Sequence, residues 1–368
     1  MKIIKRILIA LLVLAALLAT FLAYHLQTHA VVTAAEVIPK NEQADINVAA
    51  DLSVNIIGAL QTTYAARGVH AKGHACVKAT VEVNKDINQQ LQHGVFAKPG
   101  QQHKAWIRFS NSGSNMAKSD DNAKDARGMA IKLLNVGGNL NGETNLNGGT
   151  TQEFIAHNSP AFFVTSVDDY NKFVASKGNP KYFLQGYNPF KWRIRELWQL
   201  ITAYAAPPHS PLWTTYFSNT AYKLGPHNVK FKMQSCHPLP TEVDRNPDDP
   251  DFLKHTLAEE LASDAACMQL AVQLQNVSKQ MPIEDATVLW KERESPFIPV
   301  ANISILKQTF DTPEQQQFCE NLSFSPWNAL EAHRPIGALN RARKLVYEAS
   351  SNFRHELNGT EVPQNLDW

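Results

Sequence analysis

The feature that most constrains the fold is a run of alternating residues early in the chain. From Ala75 to Val83 every odd position is alanine or valine, and the even positions between them hold cysteine, lysine, threonine and glutamate. Successive side chains of a β-strand point to opposite faces, so a period of two predicts a strand with one buried face. Similar strand patterns follow at 105–110, 127–136 and 153–164, the last broken by Ser159-Pro160.

Later segments mix helical and strand periods. Apolar residues at helical intervals predict helices at 46–66, 167–177, 191–205 and 338–357. Further strand patterns lie at 228–234, 265–275, 286–292 and 298–307. The Gly- and Asn-rich run 137–151, with two Asn-Gly steps, predicts a hairpin loop. Many strands early and helices late predict an α+β fold, an antiparallel β-barrel with helices packed outside it.

The N-terminal segment has the composition of a membrane-directed helix. Lys2, Lys5 and Arg6 precede Ile7–Tyr24, eighteen residues without a charge. This length lies near the short end of a bilayer span and exceeds most signal-peptide cores. The cations favour a cytoplasmic N-terminus, with the rest of the chain exported.

We therefore expect residues 1–6 in the cytoplasm, a transmembrane anchor at 7–24, a polar linker at 25–45 and one domain at 46–368. A cleavable signal is the alternative, because Thr28-His29-Ala30 and Val32-Thr33-Ala34 offer small residues. The expected location is a bacterial inner membrane with the domain in the periplasm, or the periplasm itself if the segment is cut.

Charge and cysteine usage narrow the possible functions. Lys plus Arg number 35 against 34 for Asp plus Glu, so nucleic-acid binding has no electrostatic support. The four cysteines contain no Cys-x-x-Cys, which disfavours a zinc ribbon or a dithiol motif, and no Cys-x-x-Cys-His, so any haem would lack thioether links. Export permits disulfides, and all three pairings of the four cysteines remain open.

One face of the last predicted helix carries residues suited to iron chemistry. Arg343, Tyr347 and Arg354 are spaced by four and seven residues, which brings all three to one helical face. A guanidinium one turn from a phenol stabilises the phenolate by a hydrogen bond and by opposite charge. A phenolate is a strong ligand for ferric iron. A solvated surface stripe is the alternative for this pattern alone.

Five further segments, together with this helix, resemble motifs of the haem catalases in the same order over roughly residues 65–355. They are Arg67-Gly-Val-His-Ala-Lys-Gly73, Trp106-Ile-Arg-Phe-Ser110, Asp125-Ala-Arg-Gly-Met-Ala-Ile-Lys132, Ser159-Pro-Ala-Phe-Phe163 and Ser323-Phe-Ser-Pro-Trp327. The chain length and the stretch 210–225 resemble more closely the small catalase-related proteins, described as peroxidases or hydroperoxide-transforming enzymes. Those proteins lack the full C-terminal catalase domain.

The resemblance implies a catalase-like barrel with non-covalent haem b between two walls. It implies Tyr347 as the axial ligand of ferric iron, supported by Arg343. On the opposite wall it implies His70 as the distal acid–base, with Ser110 fixing the imidazole tautomer.

The same resemblance implies how the rest of the haem is held. Arg67, Arg108 and Arg354 match the propionate-binding positions, and haem carries two carboxylates to neutralise. Arg108 lies two residues from Ser110, so both are expected on one face of their strand. Phe162 or Phe163 would contact the ring.

One position departs from the catalase pattern. Catalases have Asn-Asn-Thr-Pro where this chain has His157-Asn158-Ser159-Pro160, so an ungapped match puts His157 at the catalytic asparagine. A one-residue bulge would bring Asn158 there instead, because such a slip reverses side-chain direction. Both residues are candidates for catalysis, and the departure favours peroxidase chemistry over efficient dismutation.

The predicted function is a haem-dependent oxidoreductase acting on hydrogen peroxide or organic hydroperoxides. Its partners would be the peroxide, an unidentified reductant and the membrane contacted by the N-terminal helix. Two alternatives remain open: a hydroperoxide isomerase or dehydratase of the allene-oxide-forming type, and a non-catalytic haem-binding or sensor protein.

Overall fold

The structure is a computed structural model that describes residues 2–27, 30–60, 64–113, 119–137, 151–177, 179–238 and 246–368. The helices are α1 Lys2–Leu26, α2 Glu42–Leu60, α3 Val167–Ala175, α4 Ile194–Ala203, α5 Phe252–Ser263, α6 Pro313–Asn321 and α7 Ala338–Asn358. The strands are β1 Gly73–Val83, β2 Gln102–Asn111, β3 Arg127–Leu133, β4 Gln152–His157, β5 Tyr216–Phe217, β6 Ala221–Leu224, β7 His227–Ser235, β8 Ala266–Leu274, β9 Phe297–Ile305 and β10 Pro335–Ile336. The predicted hairpin at 137–151 and the first cleavage site at 28–30 fall largely outside the described residues.

Eight of these strands close into an antiparallel barrel. The order β7-β5-β4-β3-β2-β1-β9-β8 returns to β7 through β7–β8 pairing, while β6 and β10 extend the sheet beside β7. The alternating side chains of β1 behave as predicted, since Val77, Ala79 and Val81 lie in the buried barrel core. The predicted antiparallel barrel with packed helices is confirmed.

Helices cover the outside of the barrel. The last helix, α7, packs on α2 and α3, and both α5 and α6 pack on β1. Helix α7 begins after Gly337, whose φ of +91° and close approach to the Ile283 carbonyl require glycine, because an added Cβ would lie 2.7 Å from that oxygen. It ends at Asn358 and is followed by Gly359 in the left-handed conformation. These signals agree with the helix predicted at 338–357.

One predicted strand is wrong. Residues 286–292 form turns, because the Asp285 carboxylate accepts hydrogen bonds from the Thr287 amide and hydroxyl. Arg195 also donates to Asp285, and the Trp290 indole donates to the Pro282 carbonyl. Local side-chain hydrogen bonds of this kind compete with a strand ladder.

All four cysteines form disulfides. Cys76 of β1 is bonded to Cys319 of α6, and Cys236 is bonded to Cys267 of β8. The structure thus selects one of the three pairings that the sequence left open.

Helix α1 is the one described helix with the length and apolar composition of a bilayer span. Its apolar stretch Ile3–Leu26 has 24 residues, and the most apolar 18-residue window of it is not buried against the rest of the protein. A membrane span and a signal sequence both have these properties.

Candidate active site

A cavity of about 310 Å³ lies between the barrel wall and helices α2, α3 and α7. Strands β2, β3 and β4 form one wall, and α7 forms the opposite wall. Nine of the eleven residues singled out in the sequence line it: Arg67, His70, Arg108, Ser110, His157, Phe162, Arg343, Tyr347 and Arg354. Asn158 and Phe163 do not.

The His70 imidazole is held in place by its neighbours. Its backbone has φ +57°, in the left-handed region that non-glycine residues seldom adopt. The His70 amide donates to the Ser112 carbonyl at 3.0 Å, and Arg108 Nη2 donates to the His70 carbonyl at 2.8 Å. The ring Nδ1 lies 3.0 Å from Ser110 Oγ, which forms the hydrogen bond expected from the sequence.

Burial keeps the His70 imidazole neutral. Burial first, and then the neighbouring His157 and Arg108, lower the pKa of His70 to about 3. A buried cation beside other cations is costly, so the ring stays unprotonated at ordinary pH. With Nδ1 bonded to Ser110, Nε2 is left to meet a ligand in the cavity.

Gly128 is a site residue that the sequence reasoning did not single out. A Cβ at this position would lie 2.6 Å from the His70 ring and 3.0 Å from Ser110 Oγ. Glycine is therefore needed for the close approach of β3 to the histidine. The available signal was the single glycine within the string Asp125–Lys132.

His157 faces His70 across the cavity. Their ring centroids are 6.2 Å apart and nearly perpendicular. The β3–β4 ladder runs without a bulge and pairs His157 with Gly128. Burial lowers the pKa of His157 to about 4, and among the described residues its Nδ1 has no hydrogen-bond partner.

Asn158 points away from the cavity. Its Oδ1 accepts from the Arg127 amide at 2.9 Å, and its Nδ2 donates to the Ala203 carbonyl at 3.2 Å. The unbroken ladder gives the cavity position to His157, and the alternative with a bulge is not observed. The predicted catalytic placement of Asn158 is therefore corrected to a contact between β3 and α4.

Phe162 and Phe163 likewise differ in whether they reach the cavity. Phe162 lines the cavity, whereas Phe163 packs behind it, with ring centroids 4.5 Å from Phe162 and 4.8 Å from Phe173. The ring contact predicted for either residue is thus available from Phe162.

On the helical wall, Arg343 and Tyr347 pair as their spacing predicts. Arg343 Nη2 donates to Tyr347 Oη at 3.0 Å, and its Nη1 bonds Asn340 and Tyr222. Burial lowers the pKa of Arg343, but the Tyr347 and Tyr222 phenols outweigh it and raise the pKa above its ordinary value. A charged guanidinium therefore lies against the Tyr347 oxygen.

Tyr170 of α3 is a second phenol at this wall that sequence reasoning missed. It lines the cavity, and burial followed by the nearby Tyr347 raises its pKa. Tyr170 therefore remains a neutral phenol beside Tyr347.

One end of the cavity holds an excess of buried positive charge. Arg67, Arg108 and Arg354 converge there, and the one carboxylate among their described contacts is Glu320, 3.0 Å from Arg67. Burial and the neighbouring guanidinium groups lower the pKa of Arg108 to about 9 and that of Arg354 to about 10. Within the described part of the chain, Arg108 Nε is buried without a hydrogen-bond partner.

This cluster fits a ligand with two negative charges. Three guanidinium groups against one carboxylate leave two positive charges, and uncompensated buried charge is strongly unfavourable. The two carboxylates of a haem would neutralise both. The apolar middle of the cavity, the phenol on one wall and the imidazole on the other also fit that group.

The protein is thus of the class that has a closed antiparallel β-barrel with a ligand cavity between the barrel wall and an outer helix. A protein-family model described as "Catalase" matches residues 61–215. The chain is 24% identical over 332 residues to the peroxisomal catalase of Candida boidinii and 22% identical over 324 residues to catalase A of Pseudomonas putida. Each match covers 81% of this chain, but 60% and 64% of those two proteins.

Solved structures agree in fold. A fungal catalase matches with a TM-score of 0.66 at 18% identity, covering 83% of this chain and 62% of the fungal one. Catalase A from Saccharomyces cerevisiae matches with a TM-score of 0.64 at 17% identity, covering 83% and 68%. The family model, the relatives and the solved structures all point to the haem catalase superfamily, and the chain spans about three fifths of the length of these catalases.

Proposed function

We propose that the protein is a haem-dependent oxidoreductase that uses hydrogen peroxide or organic hydroperoxides, in a peroxidase-type reaction with an external reductant. The proposal rests on three groups that meet in one cavity. They are the arginine cluster with its two uncompensated positive charges, the Arg343–Tyr347 pair and the facing His70. The similarity to catalases over residues 61–215 supports the choice of haem as the ligand.

The proposed haem is of the b type, held without covalent links. Tyr347 would be its axial ligand, with Arg343 holding the phenol oxygen through the 3.0 Å hydrogen bond. Arg67, Arg108 and Arg354 would bind its carboxylates, and Phe162 would contact its face. When bound, the haem supplies the redox-active iron that takes up the oxidising equivalents of a peroxide.

His70 would move the proton of the peroxide. Its neutral ring accepts the proton from one peroxide oxygen at Nε2 and returns it to the departing oxygen as the O–O bond breaks. Ser110 holds the ring by its bond to Nδ1. His157 faces the same space with an unpartnered nitrogen and would contribute a second hydrogen-bonding group.

The proposed location is a bacterial inner membrane, with α1 as a single span and the domain in the periplasm. Two disulfides are consistent with an oxidising compartment. Cleavage of α1 would instead release the same domain into the periplasm.

The test is the absorption spectrum and peroxide turnover of the purified chain. We expect bound haem in the natural protein, a changed haem spectrum in Tyr347→Phe, and loss of turnover with retained haem in His70→Ala. Asp86→Ala, an exposed position after β1, serves as the control. A protein without haem absorption, or an unchanged spectrum in Tyr347→Phe, would refute the proposal.

Product identification separates the alternative reactions. A lipid hydroperoxide converted to an alcohol, with consumption of reductant, indicates a peroxidase. Conversion to an isomer or a dehydrated product without reductant indicates the allene-oxide-forming type. Haem binding without turnover indicates a sensor.

A further inference from the structure

Exposed apolar side chains are concentrated in one segment of the domain. We call them the 184–204 surface: Leu184, Tyr187, Phe190, Trp198, Ile201 and Tyr204. Tyr187 is fully exposed, and Phe190 and Trp198 are 58% and 59% exposed. Exposed apolar clusters on a soluble domain commonly mark interaction sites.

Helix α4 has apolar residues on two faces. Leu197 and Leu200 pack inward against a buried aromatic cluster that includes Phe162, whereas Trp198 and Ile201 point outward. A helix that is apolar on both faces requires an apolar environment on each side. The aromatic cluster supplies one of them, whereas Trp198 and Ile201 on the other face stay more than half exposed.

The 184–204 surface is continuous with the end of α1. Phe21 contacts Phe190 and Trp192, with ring centroids 6.3 and 6.4 Å apart, and Tyr24 contacts Phe190 at 5.5 Å. His25 Nε2 donates to the Pro189 carbonyl at 2.9 Å. The last turn of the apolar helix therefore rests on this surface.

The segment after α1 is also fixed to the domain. Glu36 forms ion pairs with Arg334 and Arg341, and Arg341 also binds Glu42 and Glu284. The Val37 amide donates to Glu284 at 2.9 Å. These bonds hold the exit of α1 at one place on the domain, so a membrane around α1 would meet the same face each time.

We propose that the 184–204 surface rests in the headgroup layer of the bilayer that α1 spans. The proposal depends on the membrane span proposed above for α1. Tryptophan and tyrosine favour the membrane–water interface, where the ring is apolar and the polar group stays hydrated. The exposed Lys181 and Lys191 on the same segment suit lipid phosphates. The docked orientation turns α4, and the Phe162 side of the cavity behind it, towards the membrane.

The test uses the full chain with one reactive thiol. All native cysteines are in disulfides, so Tyr187→Cys provides a single labelling site at a fully exposed position. The matched control is Asp86→Cys, exposed in the turn after β1. Each variant is labelled with an environment-sensitive dye and reconstituted into phosphatidylcholine–phosphatidylglycerol vesicles containing lipids with nitroxide-labelled headgroups.

We expect a blue shift and strong quenching of the label at position 187, with neither at position 86. Equal behaviour of the two labels in a chain that resists alkaline carbonate extraction overturns the docking proposal alone. Extraction of the chain by carbonate overturns both the span and the docking. A blue shift of the label at position 187 that occurs in detergent and grows with protein concentration means that a second copy of the chain covers the surface. That result also overturns the proposal. None of these outcomes depends on haem.

Discussion

Gly128→Ala should disable the site without removing any group that takes part in the proposed chemistry. The added Cβ would lie 2.6 Å from the His70 ring, whereas ordinary contacts begin at 3.4 Å. The ring must therefore withdraw by the difference, 0.8 Å. The ring's bond to Ser110, the backbone bond from the His70 amide to the Ser112 carbonyl and the facing His157 restrict such a movement.

A misplacement of about 1 Å costs on the order of 10²-fold in rate when geometry governs catalysis. We expect kcat/KM for peroxide to fall by about that factor, and overpacking to lower the free energy of unfolding by about 1–3 kcal/mol. Haem content should be unchanged, because Tyr347 and the three arginines lie on other elements.

The matched control is Gly113→Ala, where an added Cβ meets Asp125 Oδ2 at an ordinary 3.7 Å. Peroxide turnover is measured by stopped flow at equal haem loading, and stability by chemical denaturation. If haem-loaded Gly128→Ala turns over peroxide as fast as Gly113→Ala, then the position of His70 does not control the reaction, and the reasoning is refuted.

Three further predictions concern other parts of the structure. Asn158→Ala should lower the free energy of unfolding by about 1–3 kcal/mol, because the Arg127 amide and the Ala203 carbonyl lose their hydrogen-bond partner. It should leave turnover per haem unchanged, whereas His157→Ala should change turnover. The reverse result in the turnover assay would contradict the observation that His157 faces the cavity and Asn158 does not. The free energy of unfolding should fall as pH drops below 6.5, because burial holds the pKa of His70 and His157 to about 3 and about 4 and the unfolded chain then binds more protons. Between about pH 4 and 6.5, the slope of the free energy of unfolding against pH should be smaller in His157→Gln by about 1.4 kcal/mol per pH unit. An unchanged slope would be inconsistent with a buried neutral His157. Finally, replacing Cys76 and Cys319 by serine should destabilise the protein by about 2 kcal/mol more than replacing Cys236 and Cys267, since the loops closed span 243 and 31 residues; equal denaturation midpoints would contradict this loop-entropy reasoning.

Features set by local spacing were predictable from the sequence. The period of two in β1 and the spacing of four between Arg343 and Tyr347 act within one element, so no distant contact was needed to foresee the strand or the hydrogen bond. Arg108 and Ser110 share a face of β2 for the same reason, and both line the cavity.

Features set by pairing between distant elements needed the tertiary structure. The choice between His157 and Asn158 depends on the register of β4 against β3, which neighbouring residues alone do not determine. The predicted strand at 286–292 is absent from the structure, where the Asp285 carboxylate accepts hydrogen bonds from the Thr287 amide and from Arg195 of α4.

The sequence by itself determined the early strands, the last helix, the apolar N-terminal helix and the chemical groups available for a haem site. The tertiary structure decided which of those groups meet. It brought Glu320 to Arg67 across 253 residues, selected the disulfide pairs and left the charge excess at one end of the cavity. Side-chain periodicity is local, whereas charge balance and burial depend on residues that become neighbours once the barrel has closed.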